Sequence, residues 1–309
     1  MVLGADDVLR GEKAAAEQRL TAPASGRNVS AALGLVVAEV NIAAVVPMAR
    51  RCVERFANPR ERTPGHHHVG TGAADVSLLI TALEESERAQ FARCMLRDAS
   101  DRDEITVNRN EYLLALVPLA KTLDDELRSE VFATAMTYAQ GEHDGEAPDD
   151  PFSGPVDPLS RFRLRFGPGS LAPAGLQVAA ASARTPNEYA AVEAVALGML
   201  PDADDSRCHG IAWALASIPD ERLLVDPTSL AAHQSAWLRA FAAIVWCRHE
   251  RENSDLGQRL VGDPSGLVRR SFASNLRDLP THDQLRTILS TDPRRSVRLA
   301  IERQAPQQQ

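Results

Sequence analysis

Lysine is nearly missing from this chain: of 34 basic residues only Lys13 and Lys121 are lysines, the rest being arginine. That bias reads as the mark of a GC-rich bacterial genome and is given no functional weight. Aromatic residues make up 5% of the chain, and β-branched runs are scarce, which argues against a sandwich or barrel. Four cysteines, Cys52, Cys94, Cys208 and Cys247, lie far apart with no C-x-x-C. A disulfide framework and a cysteine zinc site are thereby excluded, and reduced core thiols are expected. The formal net charge of −8 excludes a surface given over wholly to nucleic acid or anionic lipid. Residues Met1 to Lys13 carry Asp6 and Asp7 and no positive start before an apolar core, so no signal peptide is expected and the cytoplasm is the expected compartment.

The usual signatures of chemistry are missing too. The chain has no Walker sequence, no dinucleotide fingerprint and no G-x-S-x-G turn. Gly167-Pro168-Gly169-Ser170 is too short for a phosphate loop, and its proline removes a needed donor. Cys208 and His209 are neighbours, but adjacent residues on a helix face different directions and form no dyad alone. The carboxylate pairs Glu84-Glu85, Asp124-Asp125 and Asp204-Asp205 read as helix starts or solvated faces. No catalytic residue, cofactor or metal is assigned.

What the chain does have is alanine, leucine and arginine, all good helix formers, and a repeat. At an offset of 29 residues Leu256 falls on Leu285, Leu260 on Leu289, Asp263 on Asp292, Pro264 on Pro293, Val268 on Val297 and Arg269 on Arg298. Leucines four apart share a helical face, so each copy opens with a helix that stops at Asp-Pro. The pair then starts a second helix, the aspartate capping its first turn and the proline taking a position whose N–H is orphaned anyway. Val268, Phe272 and Leu276 give that second helix one apolar face. A two-helix unit this short cannot bury its own apolar faces and must stack on copies of itself. Stepping upstream from Arg269 reaches Arg239, with Leu238 in the place of Val268 and Trp246 in the place of Leu276, and then Arg207.

Asp-Pro followed by Val-Arg at the start of a second helix resembles the HEAT repeat, best over residues 253–304 and fairly over 187–250. The resemblance implies an all-α, right-handed α-solenoid of antiparallel helix pairs, with a divergent helical N-terminal half. It also implies that Asp263, Arg269, Asp292 and Arg298 tie neighbouring repeats together, Pro264, Val268, Pro293 and Val297 completing the structural signature of the repeat.

Three regions are read along the chain: divergent helices over 1–140, an acidic, proline-rich linker over 141–175, and the repeats over 176–309. Val29 to Met48 is almost continuously apolar, but Glu39 lies near its centre, so a buried helix is favoured over a membrane span. Pro47 is expected to kink or end it, a second helix following over 48–56. His66-His67-His68 sits among prolines and glycines; adjacent side chains diverge, so a solvated loop is favoured over a metal site. Helices are expected over 75–96 and 111–139, the latter broken near Pro118 and at Asp124-Asp125. Within the linker, Phe162, Leu164 and Phe166 alternate with Arg161, Arg163 and Arg165, the period of an extended segment. It reads as an ordered linker or as an arm that binds a partner.

Two functions follow as expectations. The first is a non-enzymatic scaffold whose repeats bind a protein partner, with no membrane attachment. The second is a nucleic-acid-binding or DNA-processing protein, because nine arginines oppose five acidic residues between Arg259 and Arg303. Arg270, Arg294 and Arg295, with Arg161, Arg163 and Arg165, would then make the contacts, and binding would weaken with salt.

Overall fold

The computed structural model describes residues 42–57, 73–101, 106–141, 170–249, 254–276 and 282–303. His66, His67, His68, Arg161, Arg163, Arg165 and most of the Val29–Met48 stretch lie outside the described residues. Among the described residues all regular structure is helical, and no helix is long and apolar enough to cross a membrane. The chain divides into two compact units, Met1–Ser182 and Ala183–Gln309.

The first unit holds α1 (Ile42–Ala57), α2 (Ala73–Ile80), α3 (Glu85–Ala99), α4 (Thr106–Leu116), α5 (Asp125–Ala139) and α6 (Ala172–Ser182). Each helix packs on its chain neighbour within the pairs α1–α2, α3–α4 and α5–α6, and also on the next helix but one. The amphipathic α1 buries Val45, Met48, Cys52, Val53 and Phe56 while Arg50 and Glu54 stay exposed. Phe56 meets the edge of Phe91 on α3 at 5.5 Å, and Arg50 pairs with Glu87 at 2.7 Å.

Two sequence expectations are corrected here. α1 runs unbroken through Pro47, which sits exposed in its first half, so no break precedes Met48. The single helix expected over 75–96 is two, because Glu84 and Glu87 form a reciprocal capping box that starts α3 anew. The Asp124-Asp125 turn opens α5, where Asp124 accepts from the Leu127 N–H at 2.8 Å.

α6, which a division at 175/176 would cut, lies tight against α5. A methyl group at Gly175 would come within 2.6 Å of the Tyr138 Cβ and 2.8 Å of the Ala135 carbonyl, so glycine here permits a close approach of α6 to the α5 backbone. Arg128, the fourth residue of α5, donates to the Ser182 carbonyl at the end of α6 at 3.0 Å. Arg109, the fourth residue of α4, is 1% exposed and donates to the Ala99 carbonyl at 2.8 Å, an acceptor shared with the Tyr138 hydroxyl. Both guanidinium groups reach the C-terminal end of another helix, α3 for Arg109 and α6 for Arg128, where the macrodipole favours a cation.

The second unit holds α7 (Pro186–Gly198), α8 (Asp205–Ser217), the single turn α9 (Pro227–Leu230), α10 (Ala236–His249), α11 (Ser254–Val261), α12 (Gly266–Asn275), α13 (Asp283–Ser290) and α14 (Arg295–Glu302). Successive elements pair as α7–α8, α9–α10, α11–α12 and α13–α14, while α8, α10, α12 and α14 each pack on the next of their own kind. The repeated apolar positions form the core: Leu256, Leu260, Val268, Phe272, Leu285, Leu289, Val297 and Ile301 are all buried. Trp246 of α10 stacks on Phe272 of α12 with ring centroids 5.2 Å apart. Each such large side chain contributes about 1.5–3 kcal/mol through removal from water. Thr185 and Glu188 form a capping box at the start of α7 ahead of Pro186, and Asp204 caps α8. The loop after α8 is held by a buried carboxylate: Glu193 of α7 accepts from the Leu224 N–H at 3.0 Å and also from the Val225 N–H.

Candidate binding surface

The second helices of the last three pairs, α10, α12 and α14, each carry arginine as the fourth residue, and these arginines are engaged inside the unit. Arg239 of α10 donates to Asp263 through Nε at 2.7 Å and Nη2 at 3.1 Å, and its Nη1 reaches back to the carbonyls of His233 and Gln234. Arg269 of α12 repeats this with Asp292 at 2.5 and 3.2 Å and with the carbonyls of Asp263 and Pro264. Arg298 of α14 donates back to the Asp292 carbonyl at 2.5 Å. The fork geometry matches a carboxylate on one side and two backbone carbonyls on the other, which lysine could not do.

The aspartates act differently from the expected helix caps. Asp263 accepts from the Ser265 N–H at 2.8 Å and Asp292 from the Arg294 N–H at 2.7 Å, turns made two residues along the chain before either helix begins. Ser265 is the true cap of α12, accepting from the Leu267 N–H, and Pro264 and Pro293 precede the helices instead of occupying their first positions. Electrostatics follow from the pairing: hydrogen bonding to Arg269 holds the Asp292 carboxyl below the usual range, and the partner carboxylates raise Arg239 and Arg269.

The ladder of pairs starts at Arg239. His233 stands where an aspartate would, its Nδ1 accepting from the Ser235 N–H at 3.0 Å as the two carboxylates do one and two repeats later. The fourth residue of α8 is Cys208, so the register reaching Arg207 in the sequence is one residue out. A different bond joins these helices: Ser235 Oγ donates to Asp205 at 3.2 Å.

With the fourth residues turned inward, the fifth and ninth of the same helices lie on another face, open over α8, α12 and α14 but closed over α10, where Ala240 is buried and Ile244 half-buried. On α8 these are His209 and Trp213, on α10 Ala240 and Ile244, on α12 Arg270 and Ser274, and on α14 Leu299 with Arg303 just past its end. His209, Arg270, Ser274 and Arg303 are exposed, as are Trp213 at 38% and Leu299 at 36%. The His209 ring lies 4.3 Å from that of Trp237, the second residue of α10. Contact with that ring desolvates the imidazole and lowers its pKa. The face is therefore aromatic over α8 and the half-buried Trp237 and Ile244 of α10, and largely cationic over α12 and α14.

At the cationic end a groove of about 240 Å³ runs between α12 and α14, lined by Arg270, Ser274, Ser296, Leu299, Ala300 and Arg303. Of the three arginines singled out in the sequence at this end, the structure brings only Arg270 into that groove. Arg294 lies across Gly266, where a methyl group would meet its Nε at 2.6 Å, and Arg295 is exposed at the first position of α14. His209, Trp213, Trp237 and Arg303 were missed in the sequence. The available signal was simple: one and five residues after each ladder position.

A second depression, in the first unit, is lined by Glu84, Glu85, Arg93 and Asp124. Glu84 and Asp124 are spent as caps on α3 and α5, and Glu85 is exposed at the first position of α3. Among the described residues no group of three or more histidine, cysteine, aspartate or glutamate side chains is arranged to hold a metal ion. In sequence comparison, no protein-family model and no curated protein matches this chain.

Proposed function

We propose that this protein is a non-enzymatic interaction module, a right-handed HEAT-like stack of helix pairs that binds a segment of a protein partner along the strip of fifth and ninth residues. The observation that carries this reading is Trp213. One of only three tryptophans, it stands 38% exposed one turn along α8 from His209, whose ring meets Trp237, while the repeated leucines and valines of the unit are buried. Exposed aromatic anchors followed by arginine are the composition of interface centres. Four free, buried thiols fit the cytoplasm as its compartment.

Selection from a displayed library of random peptides on the immobilised protein tests this. Peptides should enrich on the wild type and not on Trp213→Glu, whose exposed site leaves the fold intact. A library that does not enrich over bare support would end the reading.

The exposed Arg270, Arg295 and Arg303 support nucleic acid as a second reading. Anisotropy titration with short single- and double-stranded DNA across a salt series tests it, since each phosphate neutralised by arginine makes affinity fall as salt rises.

A further inference from the structure

We infer that the groove between α12 and α14 is an anion site that receives an acidic side chain, a carboxylate or a phosphomonoester, from the protein partner. The inference rests on the reading of the strip as a peptide-binding face. The groove offers two guanidinium groups, Arg270 and Arg303, and the hydroxyl of Ser296, with no carboxylate among the described residues of its lining. Guanidinium and hydroxyl donors together match the several lone pairs of an oxyanion.

The two repeat aspartates do not answer this charge, and the exposed Glu302 beside Arg303 is not part of the lining. Asp292 is 6% exposed, and its oxygens are taken by Arg269 and the Arg294 N–H. Asp263 is 7% exposed and held in the same way by Arg239 and the Ser265 N–H. The ladder thus withdraws both repeat aspartates from the surface and leaves Arg270, one residue past Arg269, exposed.

Nucleic acid fits this strip less well than a peptide. A backbone carrying a phosphate at every nucleotide would need cations along its whole track. The fifth and ninth positions of α8 and α10, His209, Trp213, Ala240 and Ile244, supply no arginine or lysine. A chain of net charge −8 also repels a long polyanion. A peptide that is apolar at one end and acidic at the other complements both halves.

The test compares peptides selected by the wild type with those selected by Arg270→Glu/Arg303→Glu. Circular dichroism serves as the folding control, and Arg270→Gln/Arg303→Gln stands in should the reversal unfold. Wild-type binders should be enriched in aspartate and glutamate over the unselected library, and that excess should vanish or invert to basic residues with the variant. In a fluorescein-labelled binder, glutamine for glutamate should weaken binding at least about tenfold, near 1.4 kcal/mol. Phosphoserine at the same position should bind too, its rank against glutamate showing which anion the groove prefers. Binders without acidic excess, or an excess untouched by the charge reversal, would overturn the anion site while leaving peptide binding intact. An absence of binders would overturn both, as would preferential, steeply salt-dependent capture of single-stranded DNA.

Discussion

Arg269 holds Asp292 by both carboxylate oxygens across the gap between one helix pair and the next, at 2.5 and 3.2 Å, with the two side chains only 13% and 5% exposed. The same guanidinium carries carbonyl bonds from the turn before its own helix. One side chain therefore fixes a turn, a helix start and the next pair together.

Removing either half of this pair leaves a buried charge without its counterpart. Asp292→Ala or Arg269→Ala should cost about 3–5 kcal/mol, while the apolar double replacement Arg269→Met/Asp292→Leu should recover much of that loss. Urea unfolding followed by tryptophan emission isolates the effect, because Trp213, Trp237 and Trp246 all lie in the second unit. A double variant that loses as much as the two single variants added together would show that the pair is not acting as a unit.

Acid should weaken the same link. In the folded chain the Asp292 carboxyl is held below the ordinary aspartate range, chiefly through the hydrogen bond from Arg269. A depressed carboxyl contributes its stability above the unfolded value and loses it as pH falls through the folded one. The stability gap between wild type and Asp292→Asn should therefore be flat above about pH 5 and close below about pH 4. Denaturant midpoints measured from neutrality to pH 2.5 check this, and a gap that widens with acid would contradict the pairing.

Gly175→Ala should destabilise the first unit by about 1–3 kcal/mol, the cost of forcing a methyl group into a filled contact. The group would press on the Tyr138 Cβ and on the α5 backbone. Hydrogen exchange of α5 and α6 amides should accelerate, and unchanged exchange would mean that the two helices separate more readily than their spacing implies.

The buried thiols should be inert in the native protein. Desolvation pushes Cys52 up to about 11 and Cys247 up to about 12, and it raises Cys208 as well. Thiolate is the reactive form, so a disulfide reagent at pH 8 should find almost none in the folded chain and four equivalents after guanidinium is added. Fast labelling of a native thiol would identify an opened core.

Much of the local structure was legible. Leucines four apart did mark helices, and the carboxylate pairs at 84–85, 124–125 and 204–205 each open one, because a helix start rewards an acceptor side chain wherever it occurs. Asp263 and Asp292 were misread for the same reason: an aspartate before a helix suits a cap equally well, and only the arrival of an arginine from the preceding pair decides otherwise. Pro47 and the break at Glu84 were misjudged because each depends on a balance between one lost or gained hydrogen bond and the packing of the whole helix.

Periodicity and cap chemistry are properties of a short stretch of chain, so the sequence by itself determined that the described residues are helical, within a few residues where the helices of the two clear repeats lie, and that their repeated leucines and valines are buried. Which charges are consumed and which remain is a property of neighbours far apart in the chain. Arg269 and Arg270 are identical as residues and adjacent in sequence, yet a rotation of about 100° along a helix sends one to Asp292 and the other into a groove with Arg303. That division, and with it the candidate surface, was settled only by tertiary packing.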